Sequence, residues 1–118
     1  MSRPKKLEHP LFQLLLEENI EAFNAQKEKY LTSSGLINLQ SADLRGLSLR
    51  KLDAARIDFR NAYFRSCDLR GIDFRAALLE GASLNRAKIS GCYFADNLRA
   101  DEIIMSLTAG TRLRYSND

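Results

Sequence analysis

The sequence predicts a mainly β solenoid with a helical cap at each end, folded as one structural domain. A five-residue repeat runs through residues 37–95, its apolar and polar positions alternate, and the flanking segments show helical periodicity instead. The chain has 118 residues, too few for a second domain to bury its own core. We therefore assign residues 1–36 to an N-terminal cap, 37–95 to the solenoid, and 96–118 to a C-terminal cap with a tail.

The repeat determines how the chain must bend. From Leu39 to Phe94 every fifth residue is large and apolar, with Ala54 as the exception. The residues two places earlier, from Ile37 to Cys92, are all apolar and mostly small. A step of five scatters side chains around an α-helix, which excludes one long helix. In an extended chain residues two apart share a face. Because five is odd, the chain must bend once per repeat, and successive coils stack as parallel strands.

Three repeats carry a family resemblance. The segments Ala42–Gly46 (ADLRG), Cys67–Gly71 (CDLRG) and Ile72–Ala76 (IDFRA) resemble the pentapeptide-repeat family, and the pattern recurs twelve times. The resemblance implies a right-handed quadrilateral β-helix with four repeats in each coil, and therefore about three coils here. At about 4.8 Å between stacked strands, the solenoid would be about 14 Å tall.

Stacking by twenty residues then predicts the core. The coil that contains the small central residue Ala54 has the large residues Leu47 and Leu52 at its minor positions, so interior volume is conserved between coils. The core residues that follow from this register are Leu44, Phe59, Phe64, Leu69, Phe74, Leu79, Leu84, Ile89 and Phe94.

Both ends of a short solenoid need covering, because they expose apolar side chains and unpaired strand edges. Residues 10–30 predict a capping helix that starts at Pro10. Its apolar positions are Phe12, Leu15, Leu16, Ile20 and Phe23, and its charged face is Glu17, Glu18, Glu21, Lys27, Glu28 and Lys29.

Residues 99–109 predict the second capping helix, with Gly110 as its stop signal. The apolar stripe of this helix is Ile103, Ile104 and Leu107. Residues 111–115 alternate polar and apolar side chains, which is typical of a short edge strand or a docking tail.

The sequence offers little material for catalysis. His9 stands alone, and Cys67 and Cys92 occupy minor core positions 25 residues apart, where they do not stack on each other. No phosphate-binding loop or nucleophile motif is present. We expect no catalytic residue, cofactor or metal, and therefore no enzyme. Two cysteines, no apolar membrane segment and no signal peptide favour the cytoplasm.

Arginine columns are the candidate interaction surface. Stacked by twenty, Arg45 lies under Arg65 and Arg50 lies under Arg70 on neighbouring sides. One interpretation is that each arginine pairs with a nearby aspartate, as in the Asp-x-Arg segments of the repeats, and contributes little. The other is a guanidinium ladder that recognises carboxylates or phosphates of a partner.

Three hypotheses about function follow. The preferred hypothesis is a protein-interaction or scaffold module for an unidentified partner protein. We expect it to be a monomer or weak dimer and to bind no membrane. The alternative is polyanion binding, including nucleic acid. The third comes from the resemblance, because some pentapeptide-repeat proteins imitate DNA to protect or inhibit DNA gyrase. That role needs an acidic and elongated rod, whereas residues 37–95 carry ten basic and six acidic groups in about three coils.

Overall fold

The computed structural model describes residues 9–117. In chain order these residues form α1 (Pro10–Leu16), α2 (Ile20–Gln26), a 3-10 helix (Lys27–Tyr30), the strands β1 (Ile37–Asn38) and β2 (Ile57–Asp58), and α3 (Ala100–Ala109). Residues 1–8 and 118, which were assigned to the two caps, lie outside the described residues. Within the described part, none of the helices is long and apolar enough to cross a bilayer.

Parallel pairing at an offset of twenty residues organises the middle of the chain. β1 pairs with β2, with Ile37 opposite Ile57. Six isolated bridges repeat the same offset, from Asp43 with Tyr63 to Asp73 with Tyr93. This confirms the predicted stacking register. Few residues count as strand, because the extended segments between corners are only two or three residues long.

We call residues 37–56 coil 1, residues 57–76 coil 2 and residues 77–96 coil 3. Within each coil, successive groups of five residues are sides 1 to 4, so residues 47–51 are side 3 of coil 1. Each side lies directly above the same side of the coil below, because the bridges join residues twenty apart.

Tight turns form the corners. From Leu39 to Ile89, the N–H three residues after each central residue donates to that residue's carbonyl, as Ala42 does to Leu39 at 3.2 Å. At ten of the eleven corners between Leu39 and Cys92, the residue before this donor has a positive φ. That combination is the signature of a type II turn. Ala76 is the exception among these corners.

The interior of the solenoid is closely packed and largely as predicted. Seven of the predicted core residues are buried: Leu44, Phe59, Phe64, Leu69, Phe74, Leu79 and Leu84. The rings of Phe59 and Phe64 meet edge to face, with centroids 5.1 Å apart. Ile89 and Phe94 were predicted as core residues, but they are only partly buried. They belong to coil 3, whose sides 3 and 4 have no further coil above them.

The N-terminal cap is two helices rather than the single helix predicted for residues 10–30. The break lies at Glu18, which has φ +56°. Its carboxylate accepts a hydrogen bond from the Ser48 N–H at 2.6 Å. Asn19 then caps α2 by accepting from the Ala22 N–H at 3.2 Å. Both helices contribute to the core, α1 with Leu11, Phe12 and Leu15 and α2 with Phe23.

Lys27 was predicted to lie on the charged solvent face, and this is wrong. Only 3% of its side chain is exposed. Its ammonium group donates to the carbonyls of Asp53 at 3.0 Å and Ala55 at 2.6 Å, and it lies 3.1 Å from the Asp53 carboxylate. The Lys27 ammonium group thus satisfies two carbonyls of coil 1 to which a lower coil would otherwise donate.

The C-terminal cap is α3 followed by a docked tail. Ile103 and Leu107 pack on the core, but Ile104 is 58% exposed, so the predicted three-residue stripe is wrong at this position. Gly110 ends α3 in the left-handed conformation, as its stop signal predicted. Leu113 is buried and pairs with coil 3 through bonds to Gly81 and Ala82.

Candidate interaction surface

Four Asp-x-Arg segments form the same local clamp on the outer walls. In the Asp68–Arg70 clamp the carboxylate accepts from the Arg70 backbone N–H at 3.2 Å and from two guanidinium nitrogens at 2.9 and 2.7 Å. The other clamps are Asp43–Arg45, Asp58–Arg60 and Asp73–Arg75. Each one joins a strand residue to the corner beside it, so the aspartates stabilise turns.

The clamps lower the pKa of their carboxyl groups. Hydrogen bonds from Arg70 lower the pKa of Asp68 to about 2, and those from Arg75 lower the pKa of Asp73 to about 2. Arg45 likewise lowers the pKa of Asp43. Burial acts to raise the pKa of Asp58, but hydrogen bonds from Arg60 and Gln40 outweigh it, and its pKa is lowered. All four side chains are therefore charged at neutral pH.

The four candidate arginines fall into two classes. Arg45 and Arg70 are clamped by Asp43 and Asp68, so for them the pairing interpretation is confirmed. Arg50 and Arg65 are exposed and make no ion pair among the described residues. The difference has a simple origin, because serine and tyrosine (Ser48 and Tyr63) stand where the clamped repeats have aspartate.

Charge is divided unequally among the four sides of the solenoid. Sides 2 and 3 carry seven basic and two acidic residues, whereas sides 1 and 4 carry three basic and five acidic residues. Both acidic residues of sides 2 and 3 are already held in clamps. The positive charge of the repeats is therefore concentrated on two adjacent walls, which we call the basic walls.

Three further cations on the basic walls were not among the predicted site residues. Lys51, Arg86 and Lys88 are exposed and, within residues 9–117, make no ion pair. Lys51 and Arg86 occupy corner positions after the arginine column, and Lys88 continues the wall column above Asp68. Summing the charges on each of the four sides, rather than following one position of the repeat, would have identified these three residues.

Carboxylates of the N-terminal cap lie beside the lower end of the basic walls. A cleft of about 500 Å³ separates α2 from side 3 of coil 1. Glu18 and Glu21 line it opposite Arg50 and Lys51. These carboxylates weaken the potential at the lower end, so the strongest unbalanced charge lies higher, around Arg65.

Aromatic side chains on the walls are already in contact with cations. Arg112 from the tail lies over the Tyr63 ring, 5.3 Å from its centroid, and Arg75 lies over Tyr93 at 4.8 Å. Tyr63 belongs to side 2 and Tyr93 to side 4. The two rings therefore do not form one stacking platform for bases.

The two cysteines and the histidine each make a hydrogen bond to the backbone. Burial raises the pKa of Cys67 to about 11, and its thiol donates to the Leu44 carbonyl at 2.8 Å. Cys92 is partly buried and donates to the Leu69 carbonyl at 2.9 Å. His9 caps α1 by accepting from the Leu11 N–H through Nδ1 at 3.1 Å, and burial lowers its pKa.

The family model described as pentapeptide repeats (8 copies) matches the coils in two overlapping stretches, residues 37–75 and 57–95. Together these stretches cover half of the chain. The chain belongs to the pentapeptide-repeat family. Pentapeptide repeats imply a right-handed quadrilateral β-helix, in agreement with the twenty-residue pairing. Comparison with curated proteins found no match, and comparison with solved structures found none either.

Two cations of the basic walls, Arg50 and Arg65, belong to repeats that depart from the family pattern. The family-like repeat places an aspartate before its central residue and an arginine after it, as in residues 67–71. The repeats at 47–51 and 62–66 keep the arginine without the aspartate. A pentapeptide solenoid thus gains an unpaired outward cation without any change to its core.

Proposed function

We propose that the protein is a non-enzymatic interaction module whose basic walls bind an acidic segment of a partner protein. The observation that supports this most directly is the set of five exposed cations without an ion pair in the described chain, all on sides 2 and 3: Arg50, Lys51, Arg65, Arg86 and Lys88. Arginine suits carboxylates because its planar group binds them with two parallel hydrogen bonds.

The rigidity of the walls favours binding. Hydrogen bonds between coils hold the backbone of the basic walls, as in the bonds that Leu44 and Gly46 donate to the coil above, and the clamps at Asp43 and Asp68 add to them. A partner would therefore meet a surface that is already ordered, which reduces the entropy cost of association.

Nucleic acid is the second candidate, and the five unpaired cations are what favours it. Phosphate contacts dominate nucleic-acid affinity and need no base recognition. Against it, the described basic walls lack an exposed aromatic platform, since Tyr63 is covered by Arg112. The clamped aspartates also reduce the potential at distances beyond about 10 Å in 0.1 M salt. We therefore propose the acidic protein segment as the ligand.

The test compares two probes, a fluorescent polyglutamate peptide and a DNA duplex of equal charge, by anisotropy over a range of salt concentrations. We expect the peptide to bind better than the duplex. The double variant Arg50→Gln/Arg65→Gln should weaken peptide binding by about tenfold and flatten its salt dependence. The matched control, Arg60→Gln/Arg75→Gln, removes two cations from sides 1 and 4 and should leave peptide binding unchanged.

Two results would contradict the proposal. Tighter, salt-sensitive binding of the duplex would make nucleic acid the partner class. Equal loss of peptide binding in the control variant would show that net charge, rather than the basic walls, drives association.

A further inference from the structure

The upper end of the solenoid is covered on two of its four sides. Over side 2, the Leu84 N–H donates to the Ser106 hydroxyl at 2.8 Å, and the Arg86 N–H donates to the Leu107 carbonyl at 3.0 Å. In coils 1 and 2 the equivalent N–H groups donate to the coil above. α3 therefore takes the place of a fourth coil on this side.

The tail after α3 shows how an extended segment docks on side 1. Leu113 donates its N–H to the Ala82 carbonyl at 2.9 Å and accepts from the Gly81 N–H at 2.7 Å. Its side chain is buried, and the Tyr115 hydroxyl accepts from the Leu79 N–H at 3.0 Å. Backbone pairing and one inward apolar side chain thus hold a short segment where a fourth coil would lie.

Sides 3 and 4 of coil 3 lack such cover, and we call residues 87–96 the open half. In coil 2 the corresponding sides pair with the coil above through five backbone groups, the N–H groups of Leu69, Gly71 and Phe74 and the carbonyls of Cys67 and Ile72. In the open half the five equivalent groups have no hydrogen-bond partner among residues 9–117. They are the N–H groups of Ile89, Gly91 and Phe94 and the carbonyls of Ala87 and Cys92. The open half is therefore an unpaired β edge.

α3 borders the open half with one of its flanks. The helix crosses the top of coil 3 from the end of side 4 to the corner between sides 2 and 3, where Leu107 accepts from Arg86. The tail lies against one flank, where the Glu102 carboxylate accepts from the Arg114 N–H at 3.1 Å. Two residues turn a helix by about 200°, so Ile104 projects from the opposite flank. That flank faces sides 3 and 4.

The groove between α3 and the open half is apolar. Ile104 is 58% exposed, and Ile89 and Phe94 are only partly buried. A cleft of about 570 Å³ lies where the open half meets the start of α3, with Phe94 and Leu98 among its lining residues. The groove therefore combines unpaired backbone groups along one wall with apolar side chains.

We propose that the open half binds an extended segment of a partner protein, which adds a parallel strand above sides 3 and 4. The twenty-residue register defines a segment of eight residues that lies above residues 87–94. Its positions 3 and 8 are large and apolar, above Ile89 and Phe94, and its positions 1 and 6 are apolar. Position 5 is glycine, because the segment must bend above Gly91, which has φ +75°.

Other occupants leave the edge unpaired. A helix pairs its own backbone groups internally and would leave the five groups of the open half without partners. A second copy of this chain cannot bring its own open half to this edge, because α3 and the tail stand above sides 1 and 2 of both copies and hold the edges apart. A thin extended segment fits beside α3 and pairs all five groups.

Charge favours an acidic residue at position 2 of the segment. This position lies above Lys88, at the strand spacing of about 4.8 Å. Lys88 is exposed and makes no ion pair within residues 9–117. The proposal uses this one cation of the basic walls but neither Arg50 nor Arg65, so it does not rest on the proposed function.

The probe is a blocked octapeptide, Ala-Asp-Leu-Arg-Gly-Ile-Asp-Phe, which is the sequence of residues 67–74 with alanine in place of the cysteine. We expect saturable one-to-one binding in an NMR titration of the labelled protein. The amide signals of Ile89, Gly91 and Phe94 should shift and their hydrogen exchange should slow. The Arg86 amide, already bonded to Leu107, should keep its exchange rate.

Backbone methylation of the peptide separates edge pairing from unspecific apolar binding. Positions 2 and 7 correspond to Lys88 and Tyr93, whose N–H groups donate to the coil below. Methylating both nitrogens should therefore weaken binding by about tenfold. Position 3 corresponds to Ile89, whose N–H points towards the coil above. Methylation at position 3 is the matched control and should leave the affinity unchanged.

A charge exchange tests the register. Lys88→Asp should weaken binding by about fivefold at low salt, and lysine at position 2 of the peptide should restore binding to this variant. Lys51→Asp, which reverses an exposed cation of coil 1, is the matched control and should leave binding unchanged.

Three results would overturn the proposal: no saturable binding at millimolar peptide, equal affinities of the two methylated peptides, or binding whose amide shifts lie outside the open half. Arg50→Gln/Arg65→Gln should bind the octapeptide like the unmodified protein. Loss of polyglutamate binding and loss of octapeptide binding can therefore be told apart, and failure of one leaves the other standing.

Discussion

At the scale of single residues, the corners determine which side chains the solenoid tolerates. Six non-glycine residues between Ser41 and Arg86 adopt a positive φ at the same position of a turn. This conformation brings Cβ close to the following carbonyl oxygen, at a cost of about 1–2 kcal/mol for most residues. Packing of the central residues on either side of each corner, which point into the core, offsets this local cost.

Lys51→Gly should therefore stabilise the protein by about 0.5–1 kcal/mol. Lys51 has φ +71° and an exposed side chain. Ala76→Gly is the matched control, since Ala76 occupies the equivalent corner position without a positive φ. It should destabilise the protein by a similar amount, because glycine loses more freedom on folding. Urea denaturation of both variants measures the difference, and a change of the same sign in both would contradict the turn assignment.

The Asp-x-Arg clamps predict how stability responds to acid. Because the pKa of Asp68 and that of Asp73 are lowered to about 2 in the folded chain, the unfolded chain takes up their protons first as pH falls. Their stabilising contribution is present above pH about 4 and is lost as pH falls towards 2. Carbon-detected NMR titration should show both carboxyls titrating near pH 2. In Arg70→Gln the pKa of Asp68 should rise and that of Asp73 should stay; an unchanged Asp68 would refute the clamp.

At the scale of elements, the N-terminal cap replaces a missing coil with side chains. Glu18, Asn24 and Lys27 bond to the backbone edge of coil 1 where a lower coil would have donated and accepted. The cap thus satisfies the edge and covers the interior at once, which is what prevents edge-to-edge association there.

Lys27→Met should destabilise the protein by about 2–4 kcal/mol, because it removes the buried ammonium group and leaves the part-buried carbonyls of Asp53 and Ala55 without their donor. Methionine keeps the length of the side chain, so packing is least disturbed. Lys29→Met, an exposed substitution one residue beyond Glu28, is the control and should be nearly neutral. Thermal melting would show this as a clear separation of the two variants, and similar melting temperatures would mean that the buried ammonium contributes nothing.

The coils themselves should resist changes of volume in both directions. Phe64→Ala removes the buried ring that contacts Phe59 and should cost about 3–5 kcal/mol. Ala82→Leu adds volume to a completely buried position of coil 3 and should cost about 1–3 kcal/mol. Chemical denaturation measures both, and a wild-type midpoint for either variant would be incompatible with the inward positions described above.

At the scale of the whole molecule, the solenoid has one closed end and one half-open end. The two cysteines report on this difference, since Cys67 lies buried in coil 2 and Cys92 lies partly buried on side 4 of coil 3. Cys67 should therefore react slowly with a thiol reagent in the native protein. Its thiol has a pKa raised to about 11, so little thiolate forms at neutral pH.

In the native protein Cys92 should react with the thiol reagent faster than Cys67. On unfolding, the two reaction rates should become equal. Mass spectrometry of single-cysteine variants, Cys67→Ala and Cys92→Ala, with and without denaturant, separates the two rates. Equal native rates would mean that the C-terminal cap covers sides 3 and 4 as fully as it covers sides 1 and 2.

The repeat by itself determined the solenoid, because a period of five combined with alternating faces permits few other backbones. It also determined the twenty-residue register, once four repeats per coil were taken from the family, and the inward position of Phe64 and its neighbours. The pairing of Asp68 with Arg70 was foreseeable too, since two residues at that spacing flank one corner.

Only the tertiary structure decided what happens at the ends and between the walls. Periodicity could not show that Lys27 turns inward or that the helix breaks at Glu18, because both depend on groups of coil 1 that lie about 30 residues away in sequence. It could not show that Ile89 and Phe94 stay partly exposed, since that depends on the path of α3 across coil 3. Local spacing determines which face a residue occupies; what covers that face depends on contacts distant in the chain.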